Sequence, residues 1–219
     1  EDVRGGFGKR GGFDGRHDPF EEQQAEEATV STKGIKAAKD MNIVRCSINV
    51  NSVDDAFHCD KSLTIDNSTV TAKTNDDGIH SELSLNIKYS SVSASLSYEG
   101  IESQEINIDN STIDITATDD GLNAAIAEDQ SENPAFSGQT VDNSPPEKPG
   151  GFGYKSGMRG MGEYNSDCQI KINSSTLCVK AEGDGIDSNG DIEVNGSVVI
   201  VYGPSNGGNG SLDYAGKCI

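Results

Sequence analysis

Three observations in this sequence predict an all-β solenoid, a parallel β-helix with turns of about 22 residues. An acidic turn recurs as Asp54-Asp55-Ala56-Phe57-His58-Cys59, Asp76-Asp77-Gly78-Ile79-His80-Ser81, Tyr98-Glu99-Gly100-Ile101-Glu102-Ser103, Asp119-Asp120-Gly121-Leu122-Asn123-Ala124 and Gly183-Asp184-Gly185-Ile186-Asp187-Ser188. Lys33-Gly34-Ile35-Lys36-Ala37 is a weaker first copy. The apolar residues at its centre, Ile35, Phe57, Ile79, Ile101 and Leu122, are spaced by 22, 22, 22 and 21 residues. Between copies, apolar residues fall on every second position, which is the period of a strand and not of a helix. Solenoid turns bury their core against the turns above and below, so 219 residues make one elongated domain with tails rather than two globules.

Residues 1–29 contain Arg4-Gly5-Gly6-Phe7-Gly8-Lys9-Arg10-Gly11-Gly12-Phe13, which follows neither apolar period. They read as a flexible arm, or as one that docks on a neighbouring molecule through Phe7, Phe13 and Phe20. The repeat domain spans residues 30–214. Its third unit shows the frame: Leu63-Thr64-Ile65 and Val70-Thr71-Ala72 are two short strands joined by Asp66-Asn67-Ser68-Thr69. The frame returns in Ile106-Asn107-Ile108, Ile113-Asp114-Ile115, Ile170-Lys171-Ile172, Leu177-Cys178-Val179, Ile192-Glu193-Val194 and Val199-Ile200-Val201. Superposing the units places Ile79 and its equivalents in one inward column, and Ala37, Cys59, Ser81, Ser103, Ala124 and Ser188 in a column of small residues. A leucine-rich repeat lacks its Leu ladder here, and the calcium nonapeptide roll has the wrong period.

Leu122 and Ile186 are 64 residues apart, so one turn carries an insertion of about 42 residues, placed at 126–166. It holds Pro134, Pro145, Pro146 and Pro149 and a Gly/Phe run like that of the arm. The turn-rich segment from Gly203 to Tyr214 is expected to cap the open end, leaving residues 215–219 as a tail.

A net charge of −19 disfavours nucleic acid and anionic membranes as partners and favours cations. No apolar run is long enough to span a membrane or to act as a signal peptide, so a secreted protein would be present here in its mature form. The five cysteines, Cys46, Cys59, Cys168, Cys178 and Cys218, lack metal-ligand spacing. Free thiols, one or two disulfides and an intermolecular bridge all fit them.

Like positions on successive turns lie one strand spacing apart, about 4.8 Å. Asp55, Asp77, Glu99, Asp120 and Asp184 therefore form a line of carboxylates, flanked by Asp54, Asp76 and Asp119, with Glu102 and Asp187 three residues on. Such a line repels itself unless protons or metal neutralise it. Clustered oxygen ligands suit Ca²⁺. Asp-Gly also makes a good turn by itself, but that does not account for the doubled Asp. His58 and His80 read as structural groups rather than zinc ligands, since the turns hold no third His. A lyase would need a base beside the ladder, and Arg45, the one Arg in the turns, sits near the opposite corner. No catalytic residue is assigned.

Together, the acidic turns, their order and the Gly203-Pro204 to Leu212-Asp213-Tyr214 ending resemble the carbohydrate-binding parallel β-helix family related to pectate lyases, over residues 30–214. The resemblance implies a right-handed parallel β-helix, bound Ca²⁺ and affinity for cellulose or polygalacturonate. It does not imply lyase chemistry, because fold is not function.

Where that family has Gly-Gly turns, this chain has Asn67-Ser68-Thr69, Asn110-Ser111-Thr112, Asn173-Ser174-Ser175 and Asn195-Gly196-Ser197, all at one corner, with Asn209-Gly210-Ser211 near the end. Each is an N-glycosylation acceptor motif, in turns where Asn and Ser are common in any case. Two readings of function follow. The first is a secreted Ca²⁺-binding β-helix that binds polysaccharide without catalysis, outside the cell or at its surface. The second is a glycosylated subunit of an extracellular filament or coat, assembled through the arm and the insertion.

Overall fold

A computed structural model describes residues 32–126 and 164–219. The expected arm at 1–29 and most of the expected insertion lie outside the described residues. The described residues form a parallel β-solenoid of about six turns.

Three faces wind around one core. The first stacks β1 (Ile35–Ala37), β4 (Phe57–Cys59), β7 (Ile79–Lys88), β9 (Ile101–Asp109), β11 (Leu122–Ala124), β14 (Ile186–Ser188) and β17 (Leu212–Tyr214). The second stacks β2 (Met41–Val44), β5 (Ser62–Asp66), the later halves of β7 and β9, β12 (Gln169–Asn173) and β15 (Asp191–Asn195). The third is a separate six-stranded sheet of β3 (Ser47–Asn51), β6 (Thr69–Lys73), β8 (Ser91–Ser97), β10 (Thr112–Ala117), β13 (Thr176–Ala181) and β16 (Val198–Tyr202).

The repeat spacing is the pairing register. Ile35 pairs with Phe57, Phe57 with Ile79, Ile79 with Ile101, Leu122 with Ile101 and Ile186, and Ile186 with Leu212. Ala37, Cys59, Ser81 and Ser103 stack beside them. The expected insertion leaves the register intact, since Leu122↔Ile186, Ile106↔Ile170 and Thr112↔Thr176 all share one offset of 64 residues. Inward residues of all three faces, among them Leu63, Ile65, Val70, Ile87, Ile113 and Val179, are fully or almost fully buried. Parallel strands leave each turn's apolar face to be covered by its neighbours, and stacked Ile, Leu and Val fill the bore.

A serine ladder holds the corner between the second and third faces. Arg45, Asn67, Tyr89, Asn110 and Ser174 adopt φ of 48–52°, and Gly196 has φ 57°. This left-handed conformation is uncommon for non-glycine residues. The next residue in four of these turns is a buried Ser. The amide of Ser68 donates to Ser90 Oγ, Ser90 to Ser111, Ser111 to Ser175 and Ser175 to Ser197, at 3.0–3.1 Å. Each of these hydroxyls also donates to the carbonyl two residues before it. The ladder supplies the bonds that a left-handed turn would otherwise leave unmade in a buried corner.

The seventh turn is partial. β17 pairs with β14, and Ile192 bridges to Cys218. Val194 N donates to Ile219 O and Ile219 N to Ile192 O, so the last residues extend the second face. The third face ends on β16, with Val198, Ile200 and Tyr202 exposed. All five cysteines are within the described residues and none is bonded to another.

Candidate functional site

The acidic turns stack as one corner of the solenoid. Their backbone ladder runs Gly34 N to Asp55 O, Ala56 N to Asp77 O, Gly78 N to Glu99 O, Gly100 N to Asp120 O and Gly121 N to Asp184 O. Lys33, Asp55, Asp77, Glu99, Asp120 and Asp184 are thereby one column. Asp54, Asp76, Tyr98, Asp119 and Gly183 form the column before it, as the bonds of Tyr98 N to Asp76 O and Asp119 N to Tyr98 O show. On the first face, Lys36, His58, His80 and Glu102 pair in register, as do Asn123, Asp187 and Asp213. The carboxylates expected to align from sequence do align.

Packing between turns explains the glycine of the motif. A Cβ on Gly100 would lie 2.4 Å from both Gly121 O and Ile115 Cγ2, and one on Gly78 would meet Gly100 O at 2.6 Å. Neither has a positive φ, so close approach of the next turn selects glycine here, rather than turn conformation.

Residue spacing does not reveal the bonds these carboxylates make. Asp77 Oδ1 accepts the amide of Glu99 at 3.3 Å, Asp120 Oδ1 that of Asp184 at 2.6 Å, and Asp184 Oδ1 that of Gly210. In each case the donor is the equivalent residue one turn on. The aspartates tie adjacent turns together, which a local Asp-Gly turn would not do.

Electrostatics divide the column into two halves. In the first, Lys33 Nζ bonds Asp54 at 3.2 Å and also Asp55, and His58 Nδ1 lies 2.8 Å from Asp55 Oδ2. Burial opposes the charge of Asp55, but the hydrogen bonds from His58 and Lys33 outweigh it and hold the carboxyl well below its usual range. His80 Nδ1 stands 3.0 Å from Glu102 and 3.3 Å from Asp77, and its ring centroid is 4.8 Å from that of His58. Burial disfavours the charged His80 ring, yet the bonds to Asp77 and Glu102 lift it to about 10. Asp77 is nonetheless pushed up by burial and by the Glu102 and Asp55 charges, whereas His80 holds Glu102 down against burial. Burial and the charges of Asp77 and Asp55 raise Asp76 to about 6.

The second half opens into a cleft of about 580 Å³, whose lining includes Glu99, Glu102, Asp119, Asp120, Asn123, Asp184, Asp187, Asn209 and Asp213 beside the apolar Ala125, Ile126 and Ala215. Among the described residues no Lys, Arg or His lines it. Burial pushes Glu99 up, with the Glu102 and Asp77 charges adding to it, to about 9. Burial and the charges of Asp120, Asp184 and Asp213 raise Asp187 to about 7. Carboxylate oxygens of Asp120, Asp184 and Asp187 lie within 4.8 Å of one another. Asn123 Nδ2 donates to both Glu99 oxygens at 3.2 Å, while Asn123 Oδ1 is buried without a hydrogen-bond partner. A buried acceptor oxygen without a partner is costly.

The acceptor asparagines lie in three places. Asn67 and Asn110 occupy the left-handed position of the serine corner. Asn173 and Asn195 pair with each other one residue earlier in register, and Asn173 Nδ2 donates to Asp109 at 3.0 Å. Asn209 lies at the acidic cleft, away from the other four. The Ser of Asn67-Ser68-Thr69 and of Asn110-Ser111-Thr112, and the terminal Ser of the motifs at Asn173 and Asn195, are the ladder serines. Arg45 sits at this corner too, in the left-handed column with Asn67.

No curated protein and no solved structure matches the chain. The model of a family described as "Carbohydrate-binding domain-containing protein" matches residues 8–78, about a third of the chain, which is similar to that family through its first acidic turns and short of the cleft.

Proposed function

We propose that this protein acts outside the cell or at its surface as a non-catalytic, Ca²⁺-binding β-helix that holds a plant-type polysaccharide, cellulose or polygalacturonate, along its acidic corner. The observation that carries the reading is the carboxylate-rich cleft, without a basic side chain among the described residues, and its unpartnered Asn123 Oδ1. Ca²⁺ takes six to eight oxygens at about 2.3–2.6 Å, and Glu99, Asn123, Asp120, Asp184 and Asp187 supply that chemistry from a rigid wall. From sequence alone the full ladder from Asp54 to Asp187 offers ligands. The ion is assigned to its second half because Lys33 and His80 sit against carboxylates of the first, while among the described residues no Lys, Arg or His lines the cleft. Ca²⁺ fixed there would join a uronate to a wall that otherwise repels it. The similarity of residues 8–78 to a carbohydrate-binding domain supports the sugar.

The test is retention on immobilised polygalacturonate and on cellulose, with and without Ca²⁺. Retention that a chelator and Asp187→Asn both abolish is expected, with no ultraviolet-absorbing unsaturated product. Retention indifferent to both would overturn the ion's role, and no retention on either polymer would overturn the sugar.

The exposed Val198, Ile200 and Tyr202 on the open edge strand β16 favour the second reading, a filament or coat subunit. Native material that sediments only as a monomer would remove it.

A further inference from the structure

The first half of the column carries a different kind of site. His80 Nδ1, Asp77 Oδ2 and Glu102 Oε2 converge, with Nδ1 at 3.3 Å from the first oxygen and 3.0 Å from the second, and all three donors lie within 4.8 Å of one another. Zinc bonds of about 2.0–2.2 Å place tetrahedral ligand atoms about 3.3–3.6 Å apart, close to this arrangement. The other ring nitrogen, Nε2, faces Glu82 Oε1 at 3.6 Å, and Glu82 Oε2 is buried without a hydrogen-bond partner. A histidine bound to metal through one nitrogen characteristically turns the other towards a carboxylate, which fixes the tautomer and frees the first lone pair.

We infer that Asp77, His80 and Glu102 form a binding site for a Zn²⁺-type transition-metal ion, with Glu82 orienting the imidazole, adjacent to the cleft that favours Ca²⁺ and sharing Glu102 with its wall. The imidazole sets the preference, since nitrogen donors suit Zn²⁺, Ni²⁺ and Cu²⁺ and Ca²⁺ takes oxygen. His58 is left out because its partner Asp55 is already bonded by Lys33. In the absence of metal, a proton on His80 fills the same place.

The experiment titrates the full chain with Zn²⁺, and with Co²⁺ as a coloured probe, in saturating Ca²⁺. One equivalent is expected to bind, with a visible Co²⁺ absorption band. His80→Asn should weaken Zn²⁺ by about 100-fold and Glu82→Gln by about 10-fold, and Glu82→Gln, which lies outside the cleft lining, should leave Ca²⁺-dependent polysaccharide retention unchanged. Asp187→Asn should do the converse. Nitrogen NMR of the wild-type imidazoles, which needs no variant to fold, should show Zn²⁺ shifting His80 Nδ1 alone. No Zn²⁺ binding, equal displacement by Ca²⁺, or a His80 signal that responds to protons only would each overturn the site. None of those outcomes touches the Ca²⁺ cleft, which fails separately if chelation and Asp187→Asn leave retention intact.

Discussion

Asp120 Oδ1 accepts the backbone amide of Asp184 at 2.6 Å, although 64 residues separate them in the chain. The carboxylate bonds the residue stacked directly on it in the next turn. Asp120→Asn keeps an acceptor and should change stability little in chelator, whereas Asp120→Ala orphans a buried amide and should cost about 1–3 kcal/mol in urea melts. Equal effects of the two would refute the tie.

Removing Ca²⁺ tests the cleft directly. Chelation should lower the melting temperature of the wild type, and it should lower it less in the Asp120→Asn, Asp187→Asn double variant. Restoration by Ca²⁺ at about 100 times its dissociation constant corresponds to about 2.7 kcal/mol. A melting temperature indifferent to chelator and Ca²⁺ would contradict the ion.

The pH dependence of the metal-free chain follows from Glu99 at about 9 and Asp187 at about 7. Both are raised above ordinary carboxylate values, so the folded state holds these protons more tightly than the unfolded one. Their stabilisation is full below about pH 4 and is lost as pH rises through 7 and then 9. The histidine has the same sign, with stability lost between its ordinary value and about 10. Scanning calorimetry should show a melting temperature that falls from pH 5 to pH 9 by about 5 °C or more, and less steeply in Glu99→Gln.

At the serine corner, glycosylation and folding can be separated. Thr112 is exposed, so Thr112→Ala should remove any glycan from Asn110 with little change in stability. Ser111 is buried, accepts from Ser90 N and donates to Asp109 O. Ser111→Ala should cost about 1–3 kcal/mol with or without a glycan, read by denaturation of unglycosylated protein.

Gly100→Ala places a methyl group against Gly121 O and Ile115. Overpacking of this kind costs about 1–3 kcal/mol, and the melt should shift accordingly. A neutral outcome would mean that the turns separate more readily than their packing suggests.

The sequence by itself determined the solenoid, its register and the alignment of the acid column. Identical turns can bury their apolar faces only by stacking in phase, so the spacing of Ile35, Phe57, Ile79, Ile101 and Leu122 is already the strand pairing. The serine ladder was legible in principle, since Ser68, Ser90, Ser111, Ser175 and Ser197 keep the same spacing. Ser is ordinary in any turn, so its recurrence alone does not mark a ladder. What only the tertiary structure decided is how the column divides. Lys33, His58 and His80 fall beside particular carboxylates, Asn123 Oδ1 is buried without a hydrogen-bond partner, and Asp120 reaches the turn beyond it. Those outcomes depend on side-chain direction and burial over a few ångströms, to which residue spacing is blind. The chain therefore spells out a row of carboxylates, while folding sets which of them lie against a lysine or histidine and which line the cleft.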